Sequence, residues 1–348
     1  MRNSSADSAS DTLPWKYREL LELRYPDLDS NNVDPLQILK ALGPSGPGMF
    51  SVSGAPDYIL RLRRSVLHLS RKLALLHPDR RKRILKDQNL GTDVAMKNPN
   101  RTVSSFTTTL KCGDSPSKRD DIEIGETNFE NLGSAIKELG SWMMELGLRI
   151  ARLCDKAIGG DELEQSLLDS GIAKGRLIHY HSTTNNPGLW QNWHCDYGIL
   201  TVLTSPMFVF SDEDDESSPP NGESCLQIFD RNLNEVQMVK VGCESFIIQV
   251  GESAEIMSKG KLRATLHSVI RPHNFDSMSR EMFVVFLQPA WTKVLSASKD
   301  CFLLEDDDSI GGELLKIVPP LSSRFRNGMT FAEFSRVTTY QYYGGTGS

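Results

Sequence analysis

Paired cysteines are the first thing missing from this chain. Cys112, Cys154, Cys195, Cys225, Cys243 and Cys301 are scattered with no Cys-x-x-Cys among them, which argues against zinc ribbons and redox dithiols and for reduced, packed thiols of an intracellular protein. No apolar run approaches the roughly 20 residues of a membrane helix, and the stretch Met1 to Ser8 lacks the apolar segment of a secretory signal. The expectation is a cytoplasmic chain with no membrane partner. A strong excess of one charge is absent too. The balance is 39 Lys+Arg against 45 Asp+Glu, a poor match to a phosphate backbone, so no nucleic-acid partner is expected. Six of those acids lie in 211–223, a segment without Lys or Arg, and the rest of the chain is balanced. What is present is an ordinary globular mixture, 39% hydrophobic and 24% charged, over 348 residues. That length buries a core without disulfide staples.

Residues 1–14 are Ser/Asp/Ala-rich and read as a flexible tail. Residues 15–170 read as a mainly helical region. Within it, Asp57 to Leu76 places Ile59, Leu62, Val66, Leu69, Leu73 and Leu76 at helical spacing and stops at Pro78. Residues 61–86 hold ten Lys/Arg against Asp79 alone. The run Arg80-Arg81-Lys82-Arg83 reads as the solvated face of a helix and its exit loop, with nuclear import as the alternative. A polar, turn-rich stretch over 87–128 precedes a second long helix, Phe129 to Ala157, ended by Gly159 and Gly160. After a short helix over Glu162 to Leu168 the period changes to alternation, with strands expected over 176–181, 198–204, 225–229, 235–241, 245–250, 262–270 and 281–287. Helices followed by strands predict an α+β fold: a β-sandwich or jelly-roll core over 171–295, interrupted by the acidic loop 211–223 and flanked by helices of the N-terminal half. Residues 296–348 return to helix and loop. The whole is read as one elaborated unit and as a monomer.

Chemistry enters with His194-Cys195-Asp196. Residues two apart on a strand share a face, so the imidazole and the carboxylate can converge on one ion. Two histidines and one carboxylate with open positions suit non-haem Fe(II). His267, on a β-type segment 73 residues downstream, is the candidate third ligand. Arg280 opens the apolar strand Met282 to Leu287, and a guanidinium at such a place calls for a planar anion, either a ligand carboxylate or an acid of the chain itself.

The stretch from His179 to Pro289 resembles the plant-type 2-oxoglutarate- and Fe(II)-dependent dioxygenases, the superfamily that includes isopenicillin N synthase. His194, Asp196 and His267 fall on that family's ligand positions, and Arg280 falls on the arginine that grips the cosubstrate. Cys225 to Ile228, Ser245 to Glu252 and Met257 to Val269 are similar to further family motifs, and Gly48 to Gly54 is similar to an N-terminal one. The resemblance implies a double-stranded β-helix (jelly roll), Fe(II) at the triad, 2-oxoglutarate and O₂ as cosubstrates, and ascorbate as an optional reductant. It also implies hydroxylation, desaturation or demethylation of a small organic molecule.

Three departures stand out. Met282 occupies the serine position of the family's Arg-x-Ser, replacing a hydroxyl donor by a thioether. A lost hydrogen bond to a charged group is worth about 1.5–3 kcal/mol. His179-Tyr180-His181 stands where the family has Asn-Tyr-Tyr; His179 and His181 are expected to face the cavity, as donors to the cosubstrate or as extra ligands that would favour zinc or copper. His267 and Arg280 are 13 apart, through a turn over 272–276 longer than the family's. Trp190 and Trp193 flank the triplet and are candidates for the substrate pocket. A non-catalytic, metal-containing ligand-binding or interaction protein is the rival reading.

Overall fold

The computed structural model of the chain describes residues 16–29, 33–92, 102–113, 129–182, 188–210, 216–217, 223–271, 277–297 and 318–343. The expected tail, most of the acidic segment 211–223, the turn 272–276 and Cys301 lie outside these residues. The N-terminal half runs β1 (Tyr17–Glu19), β2 (Glu22–Arg24), α1 (Pro35–Leu42), β3 (Met49–Ser53), α2 (Asp57–Leu75) and α3 (Pro78–Asp87). It continues through β4 (Val103–Lys111), α4 (Leu132–Ile158) and α5 (Glu162–Ser170). The strand-rich half comprises β5 (Ile172–Tyr180), β6 (Leu189–His194), β7 (Leu200–Thr204), β8 (Met207–Phe210), β9 (Glu223–Asp230), β10 (Glu235–Lys240) and β11 (Phe246–Val250). A short helix, α6 (Glu252–Met257), precedes β12 (His267–Ile270) and β13 (Met278–Leu287). Helices α7 (Leu321–Arg324) and α8 (Phe331–Tyr343) follow.

These strands form two mixed sheets, one ordered β1-β10-β9-β12-β6 and the other β2-β3-β11-β7-β13-β5-β4, with β8 also on β13. The alternation of β13 explains the layering. Met278, Met282 and Val284 pack with Trp190, Leu226, Ile228 and Val269 of the smaller sheet, whereas Phe283, Val285 and Leu287 pack with the helices. The long helix α4 covers that outer face through Leu139, Met143, Leu146 and Ile150, the stripe its sequence predicts.

Several elements differ from the sequence expectation: β6, β8 and α6 lie outside the expected set, the strand expected over 262–270 begins only at His267, and α3 and β4 differ for clear physical reasons. Pro78 opens α3 as well as following α2, because its fixed φ suits the first helical position; the basic run therefore lies on a helix of its own. Strand β4 falls inside the stretch read as turns. It is an edge strand whose inward positions are Ser105 and Thr107, so its hydropathy is low although Phe106 and Leu110 pack under the helices.

Candidate metal centre

His194 ends β6 and His267 begins β12, and the two are register partners across the antiparallel pair, with ring centroids 4.2 Å apart. Asp196 lies just beyond the strand end. One ligand atom from each of His194, Asp196 and His267 falls within 4.8 Å of the others. The chain fixes which atoms these are. The Nδ1–H of His194 donates to the Asn192 carbonyl at 2.7 Å, and that of His267 to the Thr265 carbonyl at 2.9 Å. A carbonyl only accepts, so each Nε2 keeps a lone pair for an ion. Asp196 Oδ2 accepts the Thr201 hydroxyl at 2.6 Å, leaving Oδ1, which lies 3.9 Å from His194 Nε2. Burial, with His267 close by, pulls the pKa of His194 down to about 4, against the pull of Asp196. The imidazole is therefore neutral at neutral pH, the form that ligates. This donor set fits a hard or borderline divalent ion with open coordination positions.

Helix α6 braces both ligand-bearing segments. The Glu252 N–H donates to the Asp196 carbonyl at 2.8 Å, and Glu255 Oε2 accepts the Ala264 N–H at 2.8 Å, three residues before His267. Gly251 makes this approach feasible, since a Cβ there would lie 2.3 Å from the Gly198 carbonyl oxygen and 3.0 Å from that of Asp196. The C-terminal helices lock α6 in turn. Arg324 forms a buried bidentate ion pair with Glu252 and donates to Thr338 Oγ1. Burial alone would lower the pKa of Arg324, but Glu252 outweighs it and the net shift is upward. Burial raises the pKa of Cys195, so its thiol stays protonated between the two ligand positions.

Arg280 is fully buried, and burial pulls its pKa down, opposed by Tyr180, Cys225 and Glu281. Its Nε donates to the Ser224 carbonyl at 3.0 Å and its Nη1 to the Met282 sulfur at 3.0 Å, while Nη2 has no hydrogen-bond partner among the described residues. Among the described residues no carboxylate forms an ion pair with it. A buried guanidinium with a spare donor fits a carboxylate that arrives from outside the chain. Tyr180 is its register partner, and the guanidinium carbon lies 5.2 Å from that ring's centroid.

Here the expectation for the histidines is corrected. His179 pairs in register with Glu281, so His179 and His181 lie on the sheet face opposite Arg280 and Met282. His179 Nδ1 lies 2.6 Å from Glu281 Oε2 and its Nε2 lies 3.2 Å from His181 Nδ1; Ser279 donates to Glu281, and Ser104 Oγ lies 2.8 Å from His181 Nε2. Tyr180, passed over in the sequence, is the residue of that triplet on the face of Arg280 and Met282. The tryptophans separate as well. Trp190 packs between the sheets against Tyr180, whereas Trp193 packs with Phe229, Leu266 and Val318 on the other face of the smaller sheet, away from the pocket side.

No family model and no curated protein matches the sequence. The fold is that of the 2-oxoglutarate- and Fe(II)-dependent oxygenases. JOX2, solved in complex with 2OG, Fe and JA, is similar at a TM-score of 0.61 and 18% identity, over 93% of this chain and 86% of its own. The dioxygenase for auxin oxidation from rice gives 0.59 and 19%, over 91% and 94%. A full-length Neurospora crassa protein in complex with alpha-KG and 5-formyluracil gives 0.60 and 15%, over 92% and 94%.

Proposed function

We propose that this chain is an Fe(II)/2-oxoglutarate-dependent oxygenase of a small organic molecule, its two facing sheets forming a double-stranded β-helix. The observation that carries the reading is the triad with its ligand atoms already selected: Nε2 of His194 and His267, and Oδ1 of Asp196. Iron bound there, with 2-oxoglutarate and O₂, supplies oxidation of a C–H bond coupled to release of succinate and CO₂. Ascorbate would serve only to keep the metal reduced. The residues of the chain do the positioning. Arg280 holds the distal carboxylate through its spare nitrogen, the neutral Tyr180 phenol lies beside it, and the packed interface between the sheets excludes water. JOX2 and the Neurospora crassa protein, whose structures hold 2OG or alpha-KG together with a small organic ligand, support this reading.

Metal-dependent succinate formation from 2-oxoglutarate, lost in Asp196→Ala, is the expected result. Absence of both 2-oxoglutarate binding and turnover in the Fe(II)-loaded protein would refute the reading. The Met282 sulfur, which takes a guanidinium donor that a cosubstrate would use, favours the second reading of a metal-containing binding protein with altered cosubstrate. Among the described residues no helix is long and apolar enough to cross a membrane.

A further inference from the structure

The carboxamide of Gln249 is buried, the residue being 1% exposed, and neither its oxygen nor its nitrogen has a hydrogen-bond partner among the described residues. Because both atoms lack one, exchanging their positions rescues nothing. An amide left in this state costs the fold stability, and it calls for a partner that comes from outside the chain. Alternation along β11 aims it inward. Phe246, Ile248 and Val250 pack with the helices, Ile247 packs between the sheets, and Gln249 has the parity of Ile247. Its register partners agree. Met49 packs between the sheets, and Thr201 has the parity of Leu203, which packs there as well.

Two chains of contacts tie this amide to the triad. Thr201, its cross-strand neighbour, donates to Asp196 Oδ2 at 2.6 Å. Val250, the next residue, accepts the Thr265 N–H at 3.1 Å, and the Thr265 carbonyl accepts the Nδ1–H of His267 at 2.9 Å. Gln249 therefore lies at the metal end of the space between the sheets. Solvent reaches that end, since the side chains of His194 and Asp196 are 17% and 12% exposed. A carboxamide offers a donor and an acceptor side by side. Its complement is an edge with the two functions reversed, an N–H adjacent to a C=O. A carboxylate, ketone or ether meets only the donor half and leaves the Gln249 oxygen stranded.

We infer that Gln249 is a substrate-reading residue and that the molecule oxidised carries an amide edge, an N–H beside a C=O, as in a lactam. This rests on the cosubstrate reading above, and the test separates the two. The wild-type protein loaded with Zn(II) is first titrated with 2-oxoglutarate by calorimetry. Small lactams, each paired with the lactone of the same ring, are then screened by ligand-observed NMR against the Zn(II)/2-oxoglutarate complex. The lactone keeps the shape and the carbonyl and lacks only the N–H. Lactams should bind at least about tenfold more tightly than their lactones. Gln249→Met, close in volume and without the amide, should erase that preference. Failure of 2-oxoglutarate to bind sinks the cosubstrate reading and this one with it. Binding of 2-oxoglutarate with no lactam bound, with lactams and lactones equal, or with the preference intact in Gln249→Met overturns the substrate assignment alone. Should Gln249→Met not fold, the wild-type comparison of lactams with lactones still decides.

Discussion

The hydroxyl of Tyr342 accepts the backbone N–H of Cys195 at 3.3 Å. A side chain in the last turn of α8 thereby holds the residue between two metal-ligand positions. Tyr342→Phe removes that acceptor and keeps the ring. Loss of one such bond, about 0.5–1.5 kcal/mol, should weaken Mn(II) binding by roughly threefold to tenfold in calorimetry. An unchanged affinity would make the tail a cover with no hold on the site.

Thr201 bears on the same candidate centre through Asp196. With its hydroxyl bond to Asp196 Oδ2 gone, Thr201→Val frees the carboxylate to rotate, and metal affinity should fall about tenfold or more with the fold intact. A Thr201→Ser protein should stay near wild type, and equal losses in the two variants would count against the orienting role.

Met282 competes for Arg280. Replacing it by serine removes the sulfur acceptor 3.0 Å from Nη1 and supplies a hydroxyl donor for the cosubstrate. Met282→Ser should therefore tighten 2-oxoglutarate binding by about tenfold, read by calorimetry on the Zn(II)-loaded protein. If affinity drops, the thioether belongs to the native cosubstrate site.

The Arg324–Glu252 pair is buried, and removing one member strands a charge. Arg324→Met should cost about 3–5 kcal/mol in urea denaturation, and Arg324→Met with Glu252→Gln distinctly less, because no unpaired ion remains. Additive losses in the double variant would show that the two do not act as a pair.

Gly251→Ala tests the closest backbone approach at the site. A Cβ 2.3 Å from the Gly198 carbonyl oxygen must push α6 away from Asp196. Stability should fall by about 1–3 kcal/mol and metal affinity with it. A protein that melts like the wild type would show that α6 does not pack this closely on Asp196.

Much of this was legible in the sequence, for reasons that differ by element. Helices α2 and α4 announce themselves because each buries one stripe along many turns. The triad could be picked out because ion binding demands particular donor atoms. Which face His179 and Tyr180 take was not legible. Alternation sets neighbours against each other, and only the register with β13 says which of them meets Arg280. Trp190 and Trp193 are three apart, so a strand sends them to opposite sides even though both flank the triplet. The bracing by α6, Arg324 and Tyr342 joins residues far apart in the chain, and no local pattern signals it.

His194 and His267 face each other as cross-strand partners while lying 73 residues apart in sequence. The ion can therefore be captured only after β6 and β12 have found their correct pairing, and a slip of one residue would turn a ligand away. Metal binding becomes a late reporter of folding. Added Mn(II) should stabilise the native state by mass action and slow its unfolding, while leaving the refolding rate almost unchanged.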